Sequence, residues 1–326
     1  MSLEFINSLD VGTNLEDKFC INTCDIKNAS NGNYLVGNFV RKEVVIPYKV
    51  WGNSSAYPIM QDSKNTVGKI CKVNGVIKDY NGKYLEVKTI EFVENESMGD
   101  YLENKYNFQA YEKLFWKTLE ANVSPKGIAF LNKFLKEDNP DIYDRFSYEF
   151  AAQKFHDNCL NGLFAHTCKC LTHLANYIKV YPQVYRYRGE DKEQDIKDLL
   201  FISMTLHDIG KINEMEYGIY TSRSFLTHRF LGVEMLLPYR DYLIENYSIE
   251  WCDHFFSVIT QHHGVYAEEA RTLPAIIIHL IDNFESTSTY ISEQLKGNIE
   301  QHNCGETIRY QMPAINRMPT PFYNIF

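Results

Sequence analysis

The chain has 326 residues, of which 44% are apolar and 23% charged, enough for two domains with a core and unlike a disordered or collagen-like protein. No positively charged apolar leader opens it, and the longest apolar run, LPAIIIHLI, falls far short of the roughly 20 residues a membrane helix needs. Export and a membrane partner are therefore not expected, and the reading is a cytoplasmic protein. The net charge of -9 argues against phosphate-rich partners, but it is uneven: residues 16–95 carry 11 Lys+Arg against 9 Asp+Glu, and residues 96–326 carry 22 against 31.

Residues 1–15 show no periodicity and are set apart as an N-terminal extension. From 16 to 95 the texture is short alternating runs broken by turn residues: KFCINTCDIKNA, YLVGNFVRK, EVVIPYKVW, TVGKICKVNGVIKDY and KYLEVKTIEFV. Asn31-Gly32 and Asn81-Gly82 between such runs are hairpin signals. Five strands in about 80 residues predict a small closed barrel. Tyr48 and Trp51 at a strand end, and Tyr80 and Tyr84 among Lys72, Lys78 and Lys83, offer planar faces for bases and cations for a backbone, the needs of single-stranded nucleic acid. Tyrosine-rich strands with solvated lysines are the bland reading of the same residues.

Residues 96–107 are polar and acidic and read as a linker. From 108 to 303 the periodicity is helical, with Ser124-Pro125 and Asn139-Pro140 opening two of the helices. The last segment, 304–326, holds prolines and an aromatic end, and Pro321, Phe322 and Tyr323 read as docking residues for a neighbouring domain or another copy of the chain. A homo-oligomer is left open. The eight cysteines lack CxxC pairs and read as reduced thiols. Cys168 and Cys170 follow His166, yet two residues apart on a helix they point to different sides, so packing is preferred to zinc chelation.

The helical region carries Leu206-His207-Asp208-Ile209-Gly210-Lys211, with the His-Asp pair expected on a buried helix. Around it, in chain order, lie His166, His228, His262, His263 and Asp282. Imidazole and carboxylate groups suit first-row divalent metals, and this many exceed the needs of one ion, so two ions are expected. Gly210 is read as letting the chain turn and Lys211 as meeting a phosphate.

The ordered set resembles that of HD-domain phosphohydrolases. With the barrel before it, the chain resembles the YhaM family of 3'-to-5' exoribonucleases, in which an OB-fold nucleic-acid-binding domain precedes an HD domain. The resemblance rests on SNGNYLVGNF, YKVW and VNGVIKDYNGKYLEVK in the first part. In the second it rests on AAQKFHDNCLNGLFAHT, LHDIGKINE, YTSRSFLTHRFLG, QHHG, HLIDNFES and the late PFYN. Departures from the family pattern are Asp157 after His156, Asn161 before Gly162, Thr227 before His228 and Gln261 before His262; none removes an expected ligand.

The resemblance implies an N-terminal five-stranded OB-fold barrel followed by an all-α HD domain. It implies a first metal site of His166, His207, Asp208 and Asp282, and a second completed by His228 with His262 and His263, of which, as sequence neighbours, one alone could bind directly and the other stand behind it, with Asp208 as the bridge and catalysis at His207, Asp208 and Lys211. Glu214 would orient a ligand, His279, three residues before Asp282, is read as supporting a ligand or packing, and His156 either borders the entrance or serves as a cap or surface residue. Manganese is implied, while the donor set also suits iron, cobalt, nickel, zinc or magnesium. The expected activity is release of nucleoside monophosphates from single-stranded RNA, with DNA as a further substrate. The alternatives are an HD phosphohydrolase of small nucleotides (dNTP, cyclic nucleotide or alarmone) and a nucleic-acid-binding adaptor with an inactive HD site.

Overall fold

Alternation of apolar and polar residues builds the first unit, residues 1–105, as five strands: β1 (Asn14–Ala29), β2 (Gly32–Arg41), β3 (Val44–Trp51), β4 (Ile70–Asp79) and β5 (Lys83–Phe92). The computed structural model describes residues 3–29, 32–62, 66–153, 155–264 and 268–299, side chains being described to 293, together with the backbone of 309–311 and 321–323. The strands close in the order β1-β2-β3-β5-β4, with β3 and β5 parallel and the other pairs antiparallel, an OB-like connectivity. Inward residues such as Phe19, Phe39, Ile46, Val50, Ile77 and Leu85 are fully buried and fill the barrel, which at this strand number leaves no channel. The expected Asn81-Gly82 turn is present, both residues having positive φ.

The N-terminal stretch has more structure than its lack of periodicity suggests. Helix α1 (Glu4–Ser8) buries Ile6 in the barrel core, and Lys83 donates from Nζ to the Asn7 and Leu9 carbonyls at 2.8 and 2.5 Å. One apolar residue and a charged clamp are too little for a periodic signal.

The second unit, residues 106–326, is helical. Its principal helices are α2 (Phe108–Asn122), α3 (Pro125–Asn132), α4 (Pro140–Tyr148), α5 (Gly162–Val180), α6 (Glu193–Leu206), α7 (Lys211–Glu214), α8 (Thr227–Leu236), α9 (Ile249–Gln261) and α10 (Leu273–Ile299). Side-chain caps start several of them: Asn107 accepts from Ala110 N–H, Ser124 from Gly127 N–H and Ser248 from Trp251 N–H. Proline takes the first turn of α3 and α4, as their sequences predict. Phe115, Phe130, Phe134, Phe146, Phe164, Phe201 and Phe255 form the buried centre.

Helix α4 ends at Tyr148 although helical residues continue in the sequence. Glu149 turns inward and accepts from the N–H groups of Phe150, Tyr217 and Gly218, tying this loop to a small hairpin, Met215–Glu216 with Ile219–Tyr220. A buried carboxylate with three donors outweighs one more turn of helix. That hairpin adds a β element to a unit expected to be all helical. The backbone of 309–311 pairs antiparallel with 321–323. The side chains of Pro321, Phe322 and Tyr323, and Cys304, lie outside the described residues, so their expected roles do too. No helix among the described residues is long and apolar enough to cross a membrane.

Candidate metal centre and barrel face

The helical unit brings every expected metal ligand to one place. His166 comes from α5, His228 from α8 and Asp282 from α10, while His262 and His263 follow the end of α9. His207 and Asp208 do not ride on a helix: α6 stops at Leu206, and the dyad lies in the turn before α7. Gly210 has φ -64, an ordinary helical value, so it is not there to reverse the chain. Its role is proximity, since a side chain at Gly210 would run into the backbone of His228 and Gly232 on α8.

Asp208 divides its carboxylate between two groups of ligands. Oδ2 faces Lys211 Nζ at 2.6 Å, His207 Nε2 at 3.4 Å and His166 Nε2 at 3.8 Å. Oδ1 faces His262 Nε2 at 3.5 Å and His228 Nε2 at 3.6 Å. Asp282 closes the first group, with Oδ1 at 3.1 Å from His166 Nε2 and 3.8 Å from His207 Nε2. His263 joins the second, its Nε2 lying 2.8 Å from His228 Nε2.

The rings are oriented from behind. His207 Nδ1 lies 2.8 Å from the Met204 carbonyl and His262 Nδ1 lies 3.0 Å from that of Ile259, so each donates there and turns the Nε2 lone pair toward the cluster. Glu214 holds His228 Nδ1 at 2.9 Å, His279 Nδ1 donates to the His262 carbonyl at 2.8 Å, and Glu285 contacts His166 Nδ1. The consequence is an electrostatic misfit. His207 Nε2, His262 Nε2 and Asp208 Oδ1 are buried acceptors without a hydrogen-bond partner. Converging acceptors cannot satisfy one another; a cation between them can.

Protonation follows the same logic. Burial pushes His262 down to about 4, despite the opposing pull of Asp208. Burial and the neighbouring His262 and His228 push His263 down to about 2. Both rings are thus neutral, the form that binds metal. Burial disfavours charge on Asp208 and Asp282, but Lys211 and His207 around the first, and His166 and His207 around the second, hold both well below the usual carboxylate range. His166 is held above the usual imidazole value, against its burial, by the neighbouring carboxylates Glu285 and Asp282, and a cation bound there would displace that proton. Nitrogen and oxygen donors of this kind fit a divalent first-row metal. Cys170 Sγ approaches His166 Nε2 at 3.7 Å, but burial pushes its thiol up to about 12 and keeps it neutral, while Cys168 turns to the Tyr111 carbonyl.

Sequence reasoning misses the layer behind His166. Lys169, Asp157 and Glu285 form an ion cluster there, and His156, expected at an entrance, sits 3.3 Å from Asp157. Lys169 and Glu285 each lie three residues after an expected ligand, a helical interval that is the available clue.

The barrel residues divide. Tyr80 is 72% exposed and Trp51 38% exposed, and Lys78 is exposed on β4, opposite Tyr84 on β5. Tyr48 is corrected: at 1% exposure it is core, stacked on Phe39, with its hydroxyl donating to the Thr23 carbonyl. Side chains alternate along β3, so Tyr48 and Trp51 point to opposite faces. Tyr84 is largely buried, and Lys83 is committed to the Asn7 and Leu9 carbonyls; neither is a free contact. Lys72 pairs with Glu16 at 2.6 Å, away from the aromatic group. The residues overlooked are Lys49, whose ammonium lies 4.1 Å from the Tyr84 ring centre and 5.5 Å from that of Tyr80, and Tyr34, packed on Trp51 at 5.1 Å.

Comparison with known proteins agrees with this geometry. Residues 163–287 match the HD domain family. The chain is 26% identical over 245 residues to the 3'-5' exoribonuclease YhaM of Oceanobacillus iheyensis, covering 70% of this chain and 71% of the relative. It is 24% identical to the YhaM of Listeria monocytogenes serotype 4b, over 86% of this chain and 88% of the relative. The YhaM of a Geobacillus species is 26% identical over 88% of this chain and 86% of its own. The chain therefore carries an HD domain of the metal-dependent hydrolase class and, across most of its length, resembles the YhaM exoribonucleases.

Proposed function

We propose that the chain is a metal-dependent 3'-to-5' exonuclease of single-stranded RNA, with DNA as a further substrate, releasing nucleoside monophosphates. The observation that carries this reading is that Asp208 stands between two clusters of buried donors, His166 and His207 on one side and His228, His262 and His263 on the other, with His207 Nε2, His262 Nε2 and Asp208 Oδ1 lacking any hydrogen-bond partner. In this reading His166, His207, Asp208 and Asp282 would hold one divalent ion, manganese by preference, and His228, His262 and His263 together with Asp208 would hold a second. Divalent ions there supply Lewis acidity toward phosphoryl oxygens and lower the pKa of a water.

The protein's own groups do the rest. Glu214, Glu285 and the Met204 and Ile259 carbonyls fix the ring orientations, so little reorganisation accompanies reaction. Lys211, 8% exposed and paired with Asp208, holds that carboxylate and brings a positive charge beside the scissile phosphate. On the barrel, acting as the nucleic-acid-binding domain, Trp51 and Tyr80 stack on bases and Lys49 and Lys78 neutralise phosphates. The names of the relatives support this substrate and polarity.

The test is a time course with 5'-end-labelled single-stranded RNA and the equivalent DNA in Mn²⁺, beside the His207→Ala/Asp208→Ala variant. A ladder shortening from the 3' end in the parent alone is expected. Intact strands from a metal-loaded protein would overturn the exonuclease reading and point to small phosphorylated nucleotides.

A further inference from the structure

His166 is buried on every side, and its two nitrogens face different layers. Nε2 faces Asp208 and Asp282, while Nδ1 contacts Glu285 Oε2. Nothing in the proposed reaction uses what lies behind Glu285. There Glu285 Oε1 takes two contacts, Lys169 Nζ at 2.6 Å and the Thr289 hydroxyl at 2.6 Å. The same ammonium reaches both oxygens of Asp157 at 2.9 Å and Thr289 Oγ1 at 2.8 Å. Four oxygens thus surround a group with three hydrogens to donate, a tight and fully used cage.

The surroundings leave this array little freedom. Asp157 is buried, has φ 51, and also takes the Tyr106 hydroxyl and His156. A side chain at Gly162 would collide with the Asp157 carbonyl, so the loop sits directly on the start of α5. Two carboxylates this close repel, and in the interior the Lys169 ammonium is what holds them together. Without it Glu285 feels the push of Asp157 with no cation between them and keeps only Thr289 on Oε1, so the carboxylate that sets the orientation of the His166 ring is less firmly held.

We propose that Lys169 is a positioning residue for the metal centre, acting through Glu285 to hold His166 with Nε2 toward the metal. The inference rests on the metal reading of the front cluster and adds a residue that does not touch the ion or the substrate.

The experiment is a Mn²⁺ titration of the full chain, following free Mn²⁺ by electron paramagnetic resonance, with melting of the metal-free protein measured alongside. Lys169→Met is expected to weaken Mn²⁺ binding about 10- to 100-fold, the usual effect of losing an outer partner of a metal ligand. At saturating Mn²⁺ its kcat should largely return, so that the defect appears in the metal concentration required. Lys169→Arg, which keeps the charge, should restore much of the affinity. If Lys169→Met does not fold, Thr289→Val removes the other contact to the same Glu285 oxygen and should weaken Mn²⁺ binding in the same direction. Parent-like Mn²⁺ affinity in a folded Lys169→Met, or in Thr289→Val where that variant carries the test, overturns the proposal. A parent protein that binds no Mn²⁺ would instead overturn the metal reading itself.

Discussion

The two units prepare for their ligands in opposite ways. In the helical unit the proposed ligands are mostly buried, their rings are fixed by carbonyls and carboxylates, and three buried acceptors among them have no hydrogen-bond partner. On the barrel Tyr80, Trp51 and Lys78 are exposed and Lys49 lies over the rings of Tyr80 and Tyr84, with no unsatisfied buried side-chain atom among these described residues. The difference teaches that the first site stores its cost in the folded state and is released by one kind of ligand. The second stores almost nothing and gains affinity by summing weak contacts along a chain.

The most severe way to test this contrast is Asp208→Ala, which takes an oxygen from both ligand groups. Metal content should fall, and activity should drop on the order of a thousandfold or more, as elemental analysis and rate measurements would register. Parent-like metal content would break the comparison at its strong end. Glu214→Ala comes next. It frees His228 Nδ1 while leaving every proposed ligand in place, and a loss of about 10- to 100-fold in metal affinity is expected by titration.

On the barrel the effects should be smaller and graded. Tyr80→Ala is expected to weaken single-stranded RNA binding by about 1–3 kcal/mol in a filter or anisotropy assay, with metal binding unchanged. Lys78→Ala should cost only a few-fold and flatten the salt dependence by about 0.7 in the log–log slope. The smallest change separates core from face: Tyr48→Phe should leave RNA affinity untouched while lowering stability by about 1 kcal/mol through the lost bond to Thr23, read by denaturant melting. An RNA-binding defect there would return Tyr48 to the interface.

What the sequence made legible follows this division. Asn81-Gly82 and the alternating runs marked the barrel because local turn chemistry and side-chain period are local properties. The clustering of these histidines and acids was legible because His207-Asp208 with Gly210 and Lys211 forms one recognisable unit, and the remaining histidines and Asp282 stand in order around it. The supporting layer was not. Asp157 lies in an irregular loop, and Lys169 and Glu285 have the look of solvated helix charges until the fold brings α5 and α10 together. Tyr48 was misjudged by proximity in sequence where parity along β3 decides, and the same parity would have exposed Lys49. The end of α4 depended on Glu149 finding donors at Tyr217 and Gly218, almost 70 residues away, which no window of sequence contains.

The bare backbone of Gly210 against His228 and Gly232 has a bearing on how rigidly the two halves of the cluster are held. The spacing between the HD turn and the helix carrying His228 is set by two main chains in contact, with no rotamer or flexible stem between them. Such a spacer cannot be retuned by a neighbouring substitution, and it does not stretch to suit its guest. A Gly210→Ala change would therefore force the HD turn and the helix carrying His228 apart while leaving every one of the clustered side chains intact.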